Sequence, residues 1–229
     1  MEYKECLKQL LRCQNKSIAL QKAGLATQVK LSVDLIEHGA KVLLIARNRD
    51  ELGTLRSLIS VFTSEGEHNV LKSNNIFNNT WVTLSPFTSR SLSKEGWAER
   101  LAALYALRYG KVQGLILTID NLLPKEVPLD FFDNQVIQLS VGEELSPDII
   151  LEQAIAWGYD RVSMVSNPGE VSRRGDIFDI MPPGYHYPLR LDFFGETLEE
   201  IRFFDPLTQR SKGYIDNATI LPVYPVQQL

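Results

Sequence analysis

Arg173-Arg174-Gly175-Asp176-Ile177-Phe178-Asp179-Ile180-Met181-Pro182, then Leu189-Arg190-Leu191-Asp192-Phe193-Phe194-Gly195, then Phe204-Asp205-Pro206-Leu207-Thr208-Gln209-Arg210-Ser211, decide the fold of this chain. The runs mix aliphatic, aromatic and charged residues and are joined by Gly and Pro turns, so each reads as strand-like. Successive side chains of a strand point to opposite faces, which lets arginines and aromatics share one surface. Phe193 and Phe194 are adjacent and therefore face opposite ways. One enters the core and the other needs a second explanation. The same holds for Phe203 and Phe204.

Around these runs the pattern is α+β. Ser146-Pro147 predicts a helix start with Pro at its first position, running to Trp157 with Gly158 behind it. Short strands are expected near 161–165, 176–181, 188–194 and 198–204. The preceding half has another style. Residues 2–14 predict a helix with Cys6, Leu7, Leu10 and Leu11 along one face. Ser17–Leu20 is a strand candidate, 21–27 a turn, and Thr27–His38 a helix closed by Gly39. Lys41–Ala46 is a continuous apolar run, as expected of a parallel strand buried on both faces. Asn48 caps a helix to about Phe62. A loop over 63–79, a strand at Trp81–Leu84, a helix at 93–109 and a buried strand at 114–119 follow. This alternation predicts an α/β layer with a parallel sheet. Pro124 and Pro128 punctuate the boundary, giving an α/β domain over 1–121, an α+β module over 122–222, and 223–229 as the start of another domain.

Charge divides the chain in the same way. Residues 1–112 hold 16 Lys+Arg against 10 Asp+Glu, whereas 113–229 hold 8 against 18. Nine of the eleven lysines lie in the first part, and six of the eight basic residues in the second are arginine. Arginine suits planar, bidentate, partly desolvated contacts. An acidic half with a few clustered arginines lacks the net positive field that tracks phosphates, and suits protein recognition better. Arg173, Arg174 and Arg190 can equally pair with Asp176 and Asp192 as surface salt bridges of little energetic weight. No apolar run is long enough to span a bilayer, and the acidic, amphipathic start is no secretory signal. Cys6 and Cys13 fall about two turns apart on one helix, beyond disulfide reach, and read as reduced thiols of a cytoplasmic protein.

Catalytic patterns are missing. A phosphate-binding loop needs G-x-x-x-x-G-K-[ST], so that backbone amides, a lysine and a hydroxyl surround the phosphates and Mg²⁺. Registered on Thr27, its glycine slots hold Leu20 and Leu25 and its lysine slot holds Ala26; Gly24 is displaced by one and Lys22 is on the wrong side. Only the hydroxyl survives. His38, His68 and His186 have no metal-ligand spacing, and the pairs Glu143-Glu144 and Glu199-Glu200 read as solvated faces. No enzymatic activity, metal or cofactor is expected of these residues.

The arginine–aromatic runs closely resemble the UvrB-homology module, shared by the excision-repair protein UvrB and by bacterial transcription-repair coupling factors. The resemblance is strong over 158–222 and collinear over 16–120, where Leu44-Ile45-Ala46 and Gly114–Leu123 resemble domain 1a. UvrB keeps a working phosphate loop and the coupling factors resemble it with that loop lost, so the chain sides with the latter. The resemblance implies a RecA-like domain 1a remnant followed by an α+β domain 2, in a bacterial cytoplasmic repair protein. It also implies that domain 2 recruits UvrA through Arg174, Arg190, Asp192, Phe193 and Phe194, with Arg173 beside them. Motor and RNA-polymerase-binding parts, and with them ATP, Mg²⁺ and DNA, belong to other regions of the family. A C-terminal domain is expected to mask the UvrA surface. Two alternatives stay open: a nucleotide-dependent helicase or DNA-binding module of UvrB type, and arginines that serve only intramolecular docking.

Overall fold

Val42–Ala46 forms strand β1, and Asn48 behind it opens the helix as expected. Its side chain accepts a 2.9 Å hydrogen bond from the Glu51 amide, satisfying one of the orphan donors of α3 (Arg49–Phe62). The computed structural model describes residues 3–12, 23–63, 75–84, 93–122, 127–128 and 130–225. The strand candidate at Ser17–Leu20, Lys22, Cys13, His68 and Pro124 lie outside them. The chain divides into two compact units.

The first unit comprises 1–73, 78–86 and 110–124. Its sheet joins β1, β2 (Trp81–Thr83) and β3 (Gly114–Thr118) in the order β1-β3-β2, all parallel. Gly114 is required where Trp81 crosses it, since a Cβ there would lie 2.2 Å from the indole. Val29, Val33 and Ile36 of α2 (Leu25–Glu37) and Leu52, Leu55 and Ile59 of α3 bury one sheet face through Ala46 and Ile116. On α1 (Tyr3–Arg12) no residue is buried; Cys6, Leu7 and Leu10 are half-buried, and the Tyr3 hydroxyl donates to Asp34 of α2.

Two expectations change in this unit. The run Lys41–Ala46 is not covered on both faces: Leu43 and Ile45 stay about half exposed, at 50% and 48%. β1 is an edge strand, and α2 and α3 reach only the face of Val42, Leu44 and Ala46. The second helix starts at Leu25 rather than Thr27, so Leu25, Ala26 and Thr27 are its first turn and extended Gly24 is its cap.

The second unit comprises 74–77, 87–109 and 125–229. Helix α4 (Lys94–Tyr109), assigned from sequence to the first domain, clusters here; its Leu101, Ala102 and Tyr105 pack with Phe132 and Leu221. The main sheet has six strands in the order β10-β9-β8-β7-β6-β5: β5 (Asp160–Arg161), β6 (Glu170–Arg174), β7 (Ile177–Ile180), β8 (Leu189–Phe194), β9 (Thr197–Phe204) and β10 (Ser211–Ile215). All pairings are antiparallel except β5 with β6. A second sheet pairs β4 (Ile137–Ser140) with β11 (Asn217–Ile220). The run 173–182 is a hairpin rather than one strand, because Gly175 (φ 63°) turns β6 into β7. Gly195 (φ 64°) turns β8 into β9 in the same way. Both are two-residue turns with Gly first, the type II′ choice that matches strand twist.

Helix α5 (Pro147–Ala156) carries its proline at the first turn, though Ser146 makes no side-chain cap bond. Its Ile150, Leu151 and Ala154 cover Phe178, Ile180, Leu189, Leu191, Phe193, Leu198, Ile201 and Phe203 of the main sheet. No helix among the described residues is long and apolar enough to cross a membrane.

Candidate functional site

Strand register sorts the motif residues onto two faces. Phe178 pairs with Leu191 and Leu191 with Ile201, giving the apolar face under α5. The opposite face aligns Asp179, Arg190 and Arg202 in one cross-strand row and Arg174, Ile177, Asp192 and Glu200 in the next. Charged residues thus occupy the face that α5 leaves free.

Asp179 is the hub of this face. Its side chain is 1% exposed, and its carboxylate accepts from Arg190 Nε at 2.6 Å, Arg190 Nη2 at 2.8 Å and Arg174 Nη2 at 3.1 Å. Three donors around one buried carboxylate offset its desolvation, which an isolated buried charge cannot do. Arg190 also donates from Nη2 to Gln209 Oε1 at 3.0 Å, and its guanidinium lies 4.4 Å from the Phe204 ring centre. The Asp179 carboxylate holds Arg190 more firmly charged than an ordinary arginine, outweighing its partial burial. Nε and both Nη2 protons are used, and the two Nη1 donors have no hydrogen-bond partner among the described residues.

From the first row Arg202 Nη1 reaches the second, pairing with Asp192 Oδ2 at 2.5 Å and with Glu200. Asp192 Oδ1 and Arg202 Nε are buried without a hydrogen-bond partner among the described residues. Burial pushes the Asp192 carboxyl up and the nearby Glu200 adds to this, with Arg202 opposing.

Phe193 is in the core and Phe194 is 75% exposed on the charged face. Phe203 and Phe204 are both buried, Phe204 in a separate cluster with Val165 and Met181. Arg174 keeps about half its side chain in solvent. Arg173 does not join them: it faces the α5 side, pairs with Asp148, and lines a cleft with Leu151, Glu152, Ile155 and Arg161. The salt bridges expected with Asp176 and Asp192 are replaced by Asp148 for Arg173 and by Asp179 for Arg174 and Arg190. Asp192 belongs to Arg202 instead. Sequence reasoning missed Ile177, which is 37% exposed beside Asp192, and Gln209; alternation along Arg174–Asp179 marked the first.

Of the loop residues, Gly24, Leu25, Ala26 and Thr27 sit at the start of α2 as described, and Leu20 lies outside the described residues.

Residues 137–224 match the UvrB interaction domain family. The transcription-repair-coupling factor of Escherichia coli (strain K12) is 30% identical over 187 residues, covering 82% of this chain and 16% of that protein. That of Staphylococcus aureus (strain MRSA252) is 30% identical over 200 residues, or 86% of this chain and 16% of the relative. That of Myxococcus xanthus is 32% identical over 142 residues, 62% and 12% of the two chains. The chain spans about a sixth of the length of the first of these relatives. The hairpins carrying the charged face lie inside the matched stretch, and the second unit is a member of the UvrB interaction domain family in a chain whose relatives are transcription-repair-coupling factors.

Proposed function

We propose that this chain is a non-catalytic adaptor of transcription-coupled excision repair that recruits UvrA through the charged face of its six-stranded sheet. The observation that carries this reading is Phe194, a large apolar side chain 75% exposed beside Ile177 on a face otherwise dominated by charged residues, within the stretch that matches the UvrB interaction domain. An exposed aromatic beside arginine is what a binding hot spot requires. Phe194 and Ile177 fill an apolar recess on UvrA, Arg174 pairs with a carboxylate at the rim, and Arg190 offers its two Nη1 donors to another. Asp192 shapes this surface and Phe193 supports it from the core. Arg173, on the other face, takes no part.

The first unit acts as a RecA-like scaffold that has lost its nucleotide loop. Support comes from Leu25 and Ala26 standing where a glycine and a lysine would be needed, inside an ordinary first helical turn. ATP added to the chain is expected to show no micromolar binding in a calorimetric titration.

The recruitment reading is tested by calorimetry with purified UvrA. Phe194→Ala and Arg174→Ala are each expected to weaken binding by about 1–3 kcal/mol with the fold intact. Wild-type affinity in both variants would remove this face from the interface. Arg190→Ala is a poorer probe, because it also strips Asp179 of its main partner.

A further inference from the structure

The turn between β9 and β10 holds an unusual residue. Gln209 has φ 60°, and no other described non-glycine residue has a positive φ. That region is costly for a long unbranched side chain, and such strain persists only where the surroundings over-determine it. Here they do. Asp205 Oδ1 accepts from the Leu207 and Thr208 amides at 3.0 Å each, the Asp205 amide donates to Arg210 O at 2.9 Å, and the Gln209 amide donates to Asp205 O at 2.7 Å. The Gln209 side chain is fixed at both ends of its amide: Nε2 donates to Pro206 O at 2.9 Å and Oε1 accepts from Arg190 Nη2 at 3.0 Å.

A glycine or asparagine would occupy this backbone at less cost. Neither side chain would span the distance to Arg190. The left-handed turn therefore spends backbone strain on aiming one carbonyl oxygen at one guanidinium. Asp179 fixes the Nε–Nη2 edge of that guanidinium and Phe204 carries its plane; Gln209 takes the remaining Nη2 proton, and the two Nη1 donors have no hydrogen-bond partner among the described residues.

We propose that Gln209 is a positioning residue that clamps Arg190 so that its Nη1 donors are presented, pre-oriented, to a carboxylate of the partner. This rests on the reading of the charged face as the UvrA surface. The clamp lowers the ordering cost of binding, as preorganisation does in general, and no contact between Gln209 and the partner is required.

The test compares wild type with Gln209→Gly and Gln209→Asn, which keep a backbone suited to positive φ but remove the reach to Arg190. Both are expected to keep the wild-type melting temperature within a few degrees and to bind UvrA up to roughly tenfold more weakly, the ordering cost of one long side chain that is no longer held in place. Side-chain ¹⁵N–¹H spectra of the free chain supply a readout that a merely structural turn would not move. Arg190 Nη2 protons should exchange faster in both variants while the Arg202 signals stay unchanged. Unaltered Arg190 exchange overturns the clamp, whatever UvrA does. Wild-type UvrA affinity in Gln209→Gly, with Phe194→Ala weakened, overturns the role in binding alone. Wild-type affinity in Phe194→Ala instead sinks the assignment of the face to UvrA.

Discussion

Phe178 and Asp179 are neighbours on β7 and both are almost wholly removed from water, yet each secures its own side of the sheet by different physics. On the α5 side, apolar side chains from β7, β8 and β9 interdigitate with a helix, and shape decides what fits. On the other side a single carboxylate gathers two arginines, and charge geometry decides where each donor points. Packing of the first kind is forgiving of partners and intolerant of voids. The second kind is vulnerable at one atom group, but it leaves polar groups at the surface in fixed directions. A recognition surface needs the latter, backed by the former.

This contrast can be broken most severely through the core. Phe178→Ala is expected to cost about 4 kcal/mol of unfolding free energy, the transfer and cavity terms of a buried aromatic. Urea denaturation followed by tryptophan fluorescence measures it, and a loss below about 1 kcal/mol would mean that α5 does not seal the apolar face. Asp179→Ala should follow closely, at about 3 kcal/mol, because it leaves Arg190 partly buried without its directly paired carboxylate. If that variant unfolds like wild type, the hub description fails.

Much smaller effects are expected at the rim. Arg174→Ala should change stability by less than about 0.5 kcal/mol, since the side chain is half in solvent and its pair is screened. A larger loss would show that Arg174 belongs to the charged scaffold rather than to its presented edge.

The subtlest test is pH. Burial raises the folded carboxyl of Asp192 above its unfolded value, so its protonated form is favoured by folding. Its contribution is fully present below the unfolded carboxylate pKa, about 3.9, and is lost as pH rises through the folded value. Wild type should therefore lose ground to Asp192→Asn over that window and run parallel to it outside. Melting temperatures of the two chains across that window check the sign. Wild type gaining on the variant as pH rises would mean that Arg202, rather than burial, controls the site.

Much of this was legible in the chain. Asn48 ahead of a helix, Pro147 at a helix start and Gly195 at a strand end each carry a local signal that the structure honours. Adjacency split Phe193 from Phe194 onto opposite faces, and the structure decides that Phe193 is the inward one. What could not be read depends on distant partners. β4 and β11 are four-residue strands whose pairing joins Ser140 to Asn217, and neither has a pattern of its own. The exposure of Leu43 and Ile45 follows from β1 lying at an edge, which no run of apolar residues reveals. In sequence Asp179 is one acid among several near the arginines. Its role arises because Arg190 is brought opposite it across two strands, and Gln209 over both.

Gly184, at φ 89°, has no room for a Cβ, which would come within 2.8 Å of Phe77, and its carbonyl accepts from the Ile76 amide at 2.9 Å. That contact stitches residues 74–77 into the second unit, and α4 joins it after another excursion of the chain. The family signature, by contrast, is one uninterrupted stretch from 137 to 224. Excised along those limits, the piece would present Leu221 to water without Leu101, Ala102, Tyr105 and Phe132 to cover it. What is inherited as a continuous word is thus built as a broken one, and any graft of this module into another protein has to carry the helix along with the signature.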